Sequence, residues 1–496
     1  MSSNEAESSP EETTPEPNRE YDQGTVFPPG SGGSWKRIWH QPCGPGEVLA
    51  IGLPLVLSTL SYSVMQFCDR LFLSWHSEEE MAAVMSAVVL NWTASCLPIG
   101  IASYAATFVA QYCGSRQERN VGPMIWTAMW IGVFFIPLFV VLSVFPERVF
   151  RWFGHPEDLV PLESIYFRIA CIGSAAVVFE SALASFFIGR GKTRIVMVTN
   201  LAAMLINLVL DGSFIFGWGW IPEMGIRGAA WATTIAVWLK VVVYLVLVTR
   251  PGNIRRFGLD RGIRLQGSLL AKLVRFGGPS GWQLWMEGLA ISLFVLWIGR
   301  IGRVEAAATT LAFSVNLIAF VPLVGLGMSV STLVGQKIGS GEIHLARRAV
   351  HYGMLIGLIY SACFALLYSF APQVFLQLYS LGGEKEHFAE IAELSRFLLR
   401  FVATYCVLDC VQVIFAAALK GAGDTRFIFL FTIINALLFV LLGIIGSLYL
   451  APQQELTVWW SAITLWILAY AIAFSLRYLG GHWTRMSVVD LTAESN

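Results

Sequence analysis

Long apolar segments, separated by short polar ones, run through the chain from about residue 47 to about residue 478. A helix needs about 20 consecutive, mostly apolar residues to cross the hydrocarbon core of a bilayer, and each segment is long enough to do so. The pattern therefore predicts an all-α integral membrane protein with twelve transmembrane helices. They lie near residues 47–73, 82–112, 123–146, 160–188, 195–217, 227–249, 273–299, 306–336, 349–371, 395–419, 427–450 and 457–478.

The composition agrees with a membrane protein, since 56% of the 496 residues are apolar and only 13% are charged. The 33 basic and 33 acidic side chains cancel, so no overall field favours a nucleic-acid partner. Most of the eight cysteines lie singly in apolar segments and form no zinc pattern. We expect them to be small buried hydrophobic residues.

Several short motifs occur twice, which indicates an internal duplication. The paired features are Pro54 and Pro279, Pro98 and Pro322, Gln111…Gly114-Ser115 and Gln336…Gly339-Ser340, and the turns Gly189-Arg190-Gly191-Lys192-Thr193-Arg194 and Gly421-Ala422-Gly423-Asp424-Thr425-Arg426. Two halves of equal topology are typical of parallel repeats, in which the substrate site lies between the halves. The sequence thus predicts two six-helix lobes related by an internal parallel repeat.

The predicted domains follow from this repeat. Residues 1–46 are a disordered acidic cytoplasmic tail, 47–250 the N-lobe, 251–272 a basic cytoplasmic linker, 273–480 the C-lobe and 481–496 a second cytoplasmic tail. Basic residues are concentrated in the loops on the side of the first tail. The positive-inside rule therefore predicts a multi-pass protein of the inner (plasma) membrane with both termini in the cytoplasm.

Polar side chains within the apolar segments are the candidate functional residues, because an ionisable group in a span is costly unless it faces protein or water. In the first span Tyr62, Gln66 and Asp69 fall at i, i+4 and i+7, on one helical face. A second stripe, in the fifth span, consists of Asn200, Met204, Asn207 and Asp211. Together the stripes predict a hydrated cavity whose oxygens take a proton or a small hard cation such as Na⁺.

The second half of the chain holds further acids within its spans. Gln283 and Glu287 are four residues apart on the seventh span, and Asp409 lies deep in the tenth. Tyr405 and Gln412 share the helical face of Asp409. Because acids in spans are functional by default, we expect Glu287 and Asp409 to have a functional role.

Two charged residues remain in the spans of the first half. Glu180 of the fourth span is expected to have a hydrogen-bonding or an ion-binding role. Lys240 of the sixth span either extends its ammonium group toward the cytoplasmic face or pairs with an acid of the same half.

At these acids and the repeated turns the chain resembles the MATE (multidrug and toxic compound extrusion) family, over about residues 47–480. The matching segments are Phe67-Cys68-Asp69-Arg70-Leu71-Phe72-Leu73, Pro98-Ile99-Gly100, Gln111-Tyr112-Cys113-Gly114, Asn207 to Asp211 and Gly225 to Thr233. Arg70 departs from the small polar residue usual in the family. An Arg70–Asp69 salt bridge would weaken cation binding at this position.

The resemblance implies a V-shaped transporter of two lobes, a secondary active antiporter that exports organic cations and other xenobiotics in exchange for Na⁺ or H⁺. By matching position, the implied N-lobe cation site is Asp69, Asn207, Asp211 and Thr233, and the implied C-lobe acids are Glu287 and Asp409, with Gln283 beside them. Gln66, Tyr62, Glu180, Gln412 and Tyr405 are possible supporting residues. We favour Na⁺ over H⁺, because two acids and an amide offer several hard oxygen ligands. We expect no cofactor besides the coupling ion, no nucleic-acid partner, and a monomer in the lipid bilayer.

Two other functional classes make different demands on the sequence. Gly421-Ala422-Gly423-Asp424 matches the GxGD string of intramembrane aspartyl proteases, but that chemistry needs two membrane-embedded Asp side chains that share a proton. Asp424 lies in a basic turn whose repeat partner is Lys192, so we do not expect an enzyme. The alternative is a flippase of lipid-linked or polyprenyl substrates on a related fold, which would be expected to carry cavity Arg or Lys residues for phosphates.

Overall fold

The structure, a computed structural model, describes residues 34–152, 155–219, 221–380, 385–449 and 454–490. Helices make up most of these ranges, and the only pairing of extended backbone within them is an isolated bridge between Trp218 and Ile221. The all-α prediction is therefore confirmed. Residues 1–33 and 491–496, to which the sequence assigns parts of the two tails, lie outside the described residues.

Seventeen α-helices are found among the described residues. Those of the first half are α1 (Ser34–His40), α2 (Pro45–His76), α3 (Glu78–Ser103), α4 (Ala105–Gly114), α5 (Val121–Val144), α6 (Pro146–Trp152), α7 (Val160–Gly189), α8 (Thr193–Ile215), α9 (Ile226–Val248) and α10 (Pro251–Phe257). Those of the second half are α11 (Gly267–Ile301), α12 (Arg303–Gly339), α13 (Ile343–Phe370), α14 (Pro372–Ser380), α15 (Lys385–Ala422), α16 (Thr425–Tyr449) and α17 (Glu455–Leu479).

Twelve helical segments of the described chain are long and apolar enough to cross a membrane, which confirms the predicted number and order of spans. Helices α3 and α4 together form the second span, which a turn at Tyr104 interrupts. Large apolar side chains such as Val209, Leu296 and Leu437 are exposed, as expected where a bundle faces lipid rather than water.

Two segments differ from the predicted linker and tail. The linker begins with α10, whose Pro251 lies in the first helical turn, where its missing N–H is not needed. Helix α11 begins at Gly267, before the predicted start near residue 273, because Leu269 and Leu270 pack on the core. Helix α1 lies within the region predicted as the first tail.

The helices form two lobes of the same design. In the first lobe α7 packs on α3, α5 and α9, while α8 packs on α2 and α9. In the second lobe α15 packs on α12, α13 and α17, while α16 packs on α11 and α17. The short helices α6 and α14 occupy equivalent places after the third and the ninth spans, and both begin with proline. The structure thus bears out the predicted two-lobe arrangement.

The lobes meet along α2 with α12, α3 with α11, and α4 with α12. Glycines allow the helices to approach closely, since a Cβ atom on Gly281 would lie 2.5 Å from the carbonyl oxygen of Leu97, and one on Gly325 would lie 2.7 Å from the backbone nitrogen of Val56. We call the end of the bundle at which α2 begins and α17 ends the tail end, and the opposite end the far end.

Candidate functional site

The four residues predicted to form an N-lobe cation site come together where α2, α8 and α9 meet near the far end. Asp69 is buried with 4% of its surface exposed, and Asn207 and Asp211 are completely buried. The Thr233 hydroxyl donates a hydrogen bond to Asp69 Oδ2 at 3.1 Å, and Asn207 Nδ2 donates to Thr233 Oγ1 at 3.4 Å. The structure therefore brings all four residues together, including Thr233, which only the family resemblance indicated.

Most of the oxygens in this cluster have no donor among the described residues. Asp69 Oδ1, Asn207 Oδ1 and both carboxylate oxygens of Asp211 are buried without a hydrogen-bond partner. The carboxyl groups of Asp69 and Asp211 are close enough to act on each other. Two buried carboxylates this close repel each other, and desolvation adds several kcal/mol per bare charge. A proton shared between them, or a small cation held by these oxygens, removes that cost.

The donor set suits a hard cation. Carboxylate, amide and hydroxyl oxygens are the ligands preferred by hard cations, whereas Zn²⁺ and similar metals prefer nitrogen and sulfur. Within the described ranges there is no group of three or more His, Cys, Asp and Glu side chains that could hold a metal ion. The cluster (Asp69, Asn207, Asp211 and Thr233) is called the N-lobe acid site below.

Neighbouring side chains complete the surroundings of the N-lobe acid site. Gln66 Nε2 donates to the Tyr62 hydroxyl at 2.9 Å, one and two turns before Asp69 on α2. Tyr166 of α7, which the sequence did not single out, is buried close enough for the charges of Asp69 and Asp211 to act on it. Its only sequence signal was a hydroxyl within a span, and that is too common to identify a site.

Arg70 does not block the N-lobe acid site. Its charge acts on Asp69, but the ion pairs formed by the described residues include none between Arg70 and Asp69. Asp69 instead accepts its hydrogen bond from Thr233. The departure from the family pattern at residue 70 therefore leaves the Asp69 carboxylate facing Asp211.

A second polar network, partly buried, lies closer to the tail end of the same lobe. Lys240 Nζ lies 3.6 Å from Glu180 Oε1 and donates to Asn200 Oδ1 at 3.2 Å, while Asn200 Nδ2 donates to Ser58 Oγ. The network joins α9, α7, α8 and α2. Of the two predicted arrangements of Lys240, pairing with an acid of the first half is confirmed. Asn200 is seven residues from Asn207 on α8, so the network lies about 10 Å along the helix from the acid site.

The C-lobe acids occupy two separate environments. Gln283 Nε2 donates to Glu287 Oε1 at 2.8 Å on α11, and Gln412 Nε2 donates to Asp409 Oδ1 at 3.0 Å on α15. The buried hydroxyl of Tyr405 has no partner among the described residues. Helix α15 packs chiefly on α12, α13 and α17, whereas α11 packs chiefly on α3 and α16, so the two acids lie on helices with different main partners. They do not form a carboxylate pair like that of the N-lobe.

Glu287 has neighbours that the sequence did not identify. The charge of Lys420, near the end of α15, acts on Glu287, as Glu287 acts on the buried Tyr470 of α17. Tyr470 lies beside Thr432 and Asn435 of α16. Thr432 and Asn435 are three residues apart in a very apolar span, and that spacing places them on one helical face. This polar pair was the sequence signal that could have identified the surroundings of Glu287.

A groove of about 420 Å³ lies between α8 and α9, away from the acid site. Its walls are mostly apolar and include Val198, Ala202, Ile206, Leu239 and Val243, with Arg194 at one end. Val198 and Val243 are exposed on the outer surface of the lobe, where lipid would cover them. We therefore do not assign the groove to the substrate.

Comparison with known proteins agrees with this architecture. The MatE family model matches residues 54–212 and 283–445, one match in each lobe and together more than half of the chain. A probable multidrug resistance protein NorM of Xanthomonas axonopodis pv. citri is 29% identical over 381 residues, 76% of this chain and 81% of its own. The multidrug resistance protein PmpM of Pseudomonas aeruginosa is 26% identical over 78% of this chain and 80% of its own.

Solved structures show the same fold. A crystal structure of MATE in complex with MaL6 superimposes with a TM-score of 0.79 at 19% identity, over 91% of this chain and 99% of that one. MATE proteins are transporters and not enzymes, which agrees with the interpretation of the Asp424 turn. The family model matches both lobes, as the internal repeat predicts. The chain therefore belongs to the MATE family of membrane transporters.

Proposed function

We propose that the protein is a secondary active antiporter that exports organic cations and other xenobiotics in exchange for Na⁺ or H⁺. The observation that carries the proposal is the N-lobe acid site, in which four buried oxygens of Asp69, Asn207 and Asp211 have no donor among the described residues. Such a cluster is stable only when a cation or a proton occupies it. The names of the relatives, multidrug resistance proteins, support xenobiotics as the substrate class.

The antiport mechanism follows from differential binding. A ligand shifts a conformational equilibrium only by the difference in its affinity for the two states. In the proposed cycle, the coupling cation stabilises the arrangement in which α2, α8 and α9 enclose it, and the substrate cation stabilises the other. Because both ligands are positive, binding of one at the acids disfavours the other by charge competition.

The residues have distinct proposed roles. Asp69 and Asp211 supply the charge that holds the coupling cation, and Asn207 and Thr233 supply neutral oxygens that orient it. Glu287 and Asp409 are the proposed C-lobe coupling acids, kept in place by Gln283 and Gln412. We favour Na⁺ over H⁺, since the N-lobe acid site offers more oxygens than a proton needs.

The proposal includes a position in the cell. The protein would lie in the plasma membrane with both termini in the cytoplasm, so that the tail end faces inward. We expect it to act as a monomer, since one chain supplies both the N-lobe acid site and the proposed C-lobe coupling acids.

Dye efflux from proteoliposomes tests the function. Vesicles loaded with a fluorescent organic cation are given either a Na⁺ gradient at fixed pH or a pH step without Na⁺. Gradient-driven movement of the dye in one of the two conditions is expected, and a response to the pH step alone would assign H⁺ as the coupling ion. If neither gradient moves the dye and the vesicles instead translocate lipid-linked headgroups, the protein is a flippase and the proposal is wrong.

A further inference from the structure

The repeated glutamine motif has a role that the transport proposal does not use. Gln111 of α4 is completely buried, and its Nε2 donates to the carbonyl oxygen of Gly421 in the other lobe at 2.9 Å. Gln336 of α12 occupies the equivalent place in the repeat, and its Nε2 donates to the carbonyl oxygen of Gly189 at 2.8 Å. Each lobe thus donates one glutamine hydrogen bond to the other.

The carbonyl oxygens that accept these two hydrogen bonds lie in the second repeated motif, the related turns at residues 189–194 and 421–426. Gly189 and Gly421 are the first residues of the two related turns, at the ends of α7 and α15. Carbonyl groups in the last turn of a helix have no intrahelical donor, so they are available to a partner. The turns themselves need glycine two residues later, because Gly191 has a φ of 71° and Gly423 a φ of 104°.

The backbones that carry the glutamines are also in contact. A Cβ atom on Gly114 would overlap the carbonyl oxygen of Gln336, and a Cβ atom on Gly339 would overlap the carbonyl oxygen of Gln111. In each copy of the duplicated motif, both the glutamine and the glycine therefore contact the other lobe. We call this contact, made by Gln111, Gly114, Gln336 and Gly339, the tail-end seam.

The segment after the last helix strengthens one side of the seam. Gln111 Oε1 accepts hydrogen bonds from Ser487 Oγ at 2.9 Å and from the backbone N–H of Val488 at 2.8 Å. Gln117 Nε2 donates to the carbonyl oxygen of Asp490, whose side chain forms an ion pair with Lys272 at 2.9 Å. Gln111 therefore joins the first lobe to the second lobe and also to the C-terminal segment.

We propose that Gln111 and Gln336 are the gating residues of the tail end: a reciprocal latch that holds the lobes together there and must open for the substrate to enter or leave on that side. Polar groups suit a gate that opens repeatedly, because water can replace their hydrogen bonds when the lobes separate. This inference concerns the opening of the tail end and does not depend on the substrate or on the coupling ion.

Double electron–electron resonance measures the distance between two spin labels and so reports the opening of the tail end directly. Cysteines replace the exposed Lys192 and Arg426, one in each of the two turns, in a full-length chain whose native cysteines are changed to alanine. The latch variants are Gln111→Met and Gln336→Met, which keep the side-chain length, and the control is Gln266→Met at the start of α11. All proteins are measured in lipid nanodiscs after a check that they are monodisperse.

Gln336→Met should increase the long-distance population about fivefold, the change expected for one net hydrogen bond. Gln111→Met should have the larger effect, since it also removes the contacts to Ser487 and Val488. The control should match the parent. Distance distributions that stay at the parental values in both latch variants would overturn the proposal.

A second pair of variants tests the same seam without changing a glutamine. Gly114→Ala and Gly339→Ala add a methyl group against the opposing backbone and should shift the labels to longer distances in the same way. If these variants open the seam while Gln111→Met and Gln336→Met do not, the seam is held by packing alone and the glutamine latch is wrong.

Discussion

The proposed binding of a coupling cation depends on a few polar side chains in an otherwise apolar bundle. Helical periodicity and the cost of burying acids predicted Asp69, Asn207 and Asp211, since an i, i+4, i+7 spacing already places residues on one face. Thr233 was available only through the family resemblance. The pairing of Lys240 with Glu180 could be named only as one of two arrangements, because it depends on which helices pack together, and no local pattern contains that information.

The Glu180–Lys240 pair gives a prediction about stability. Lys240→Met leaves the Glu180 carboxylate, whose side chain is only 15% exposed, without its counter-charge and should lower the free energy of unfolding by about 3 kcal/mol. The double variant Glu180→Gln/Lys240→Met should be close to the parent. The stabilities of the variants are compared by thermal unfolding in detergent, with loss of the monodisperse protein as the signal. A double variant as unstable as Lys240→Met would show that the two side chains do not act as a pair.

The C-lobe acids give a prediction about coupling. Glu287→Gln and Asp409→Asn should each abolish ion-stimulated release of a bound fluorescent cation, because the neutral side chains no longer attract the coupling ion, while binding of the dye persists. Release is measured after addition of Na⁺ or acid to dye-loaded protein, with Glu147→Gln, an exposed acid paired with Arg168, as control. Parental release from both variants would remove the C-lobe acids from the coupling mechanism.

Among the elements, the twelve spans follow from the sequence because apolar length alone determines them. Hydropathy does not reveal where a helix continues beyond the bilayer or breaks within it. It therefore missed the early start of α11 at Gly267, the short helix α10 in the linker and the interruption at Tyr104 between α3 and α4. These features depend on contacts with other helices or with the membrane surface.

Close packing of α3 on α11 gives a prediction for one glycine. Gly281→Ala would place its Cβ 2.5 Å from the carbonyl oxygen of Leu97, so the helices must separate, at a cost of about 1–3 kcal/mol. Gly299→Ala on the same helix meets open space and should be neutral or slightly stabilising. Melting temperatures of the two variants make the comparison. Equal stability would mean that the interface does not require the glycine.

For the whole molecule, the internal repeat predicted the two lobes and identified Gln111 and Gln336 as equivalent positions. What the sequence alone could not supply was the pairing across the lobes, in which each glutamine contacts a turn of the other copy. The repeat indicates that two motifs are equivalent, but it does not indicate that each copy binds the other. That relation depends on the approximate two-fold arrangement of the lobes.

The orientation of the whole molecule is tested by thiol labelling. A cysteine introduced at Gln454, before α17, should react with a membrane-impermeant reagent only from outside the cell, because the far end faces outward if both termini are cytoplasmic. A cysteine at Lys192, in a tail-end turn, is the matched control and should react only after the membrane is permeabilised. Labelling of Gln454 from the cytoplasmic side alone would invert the assigned orientation.

The most direct test of the central claim is gradient-driven efflux with the N-lobe acids removed one at a time. Asp69→Asn and Asp211→Asn keep the size of each side chain but remove the charge that holds the coupling cation, and Glu147→Gln serves as the control acid. In proteoliposomes containing equal amounts of folded protein, each of the two variants should lose efflux driven by a Na⁺ or H⁺ gradient, and the control should retain it. Parental efflux in either variant would contradict the account, because that acid would then have no part in coupling.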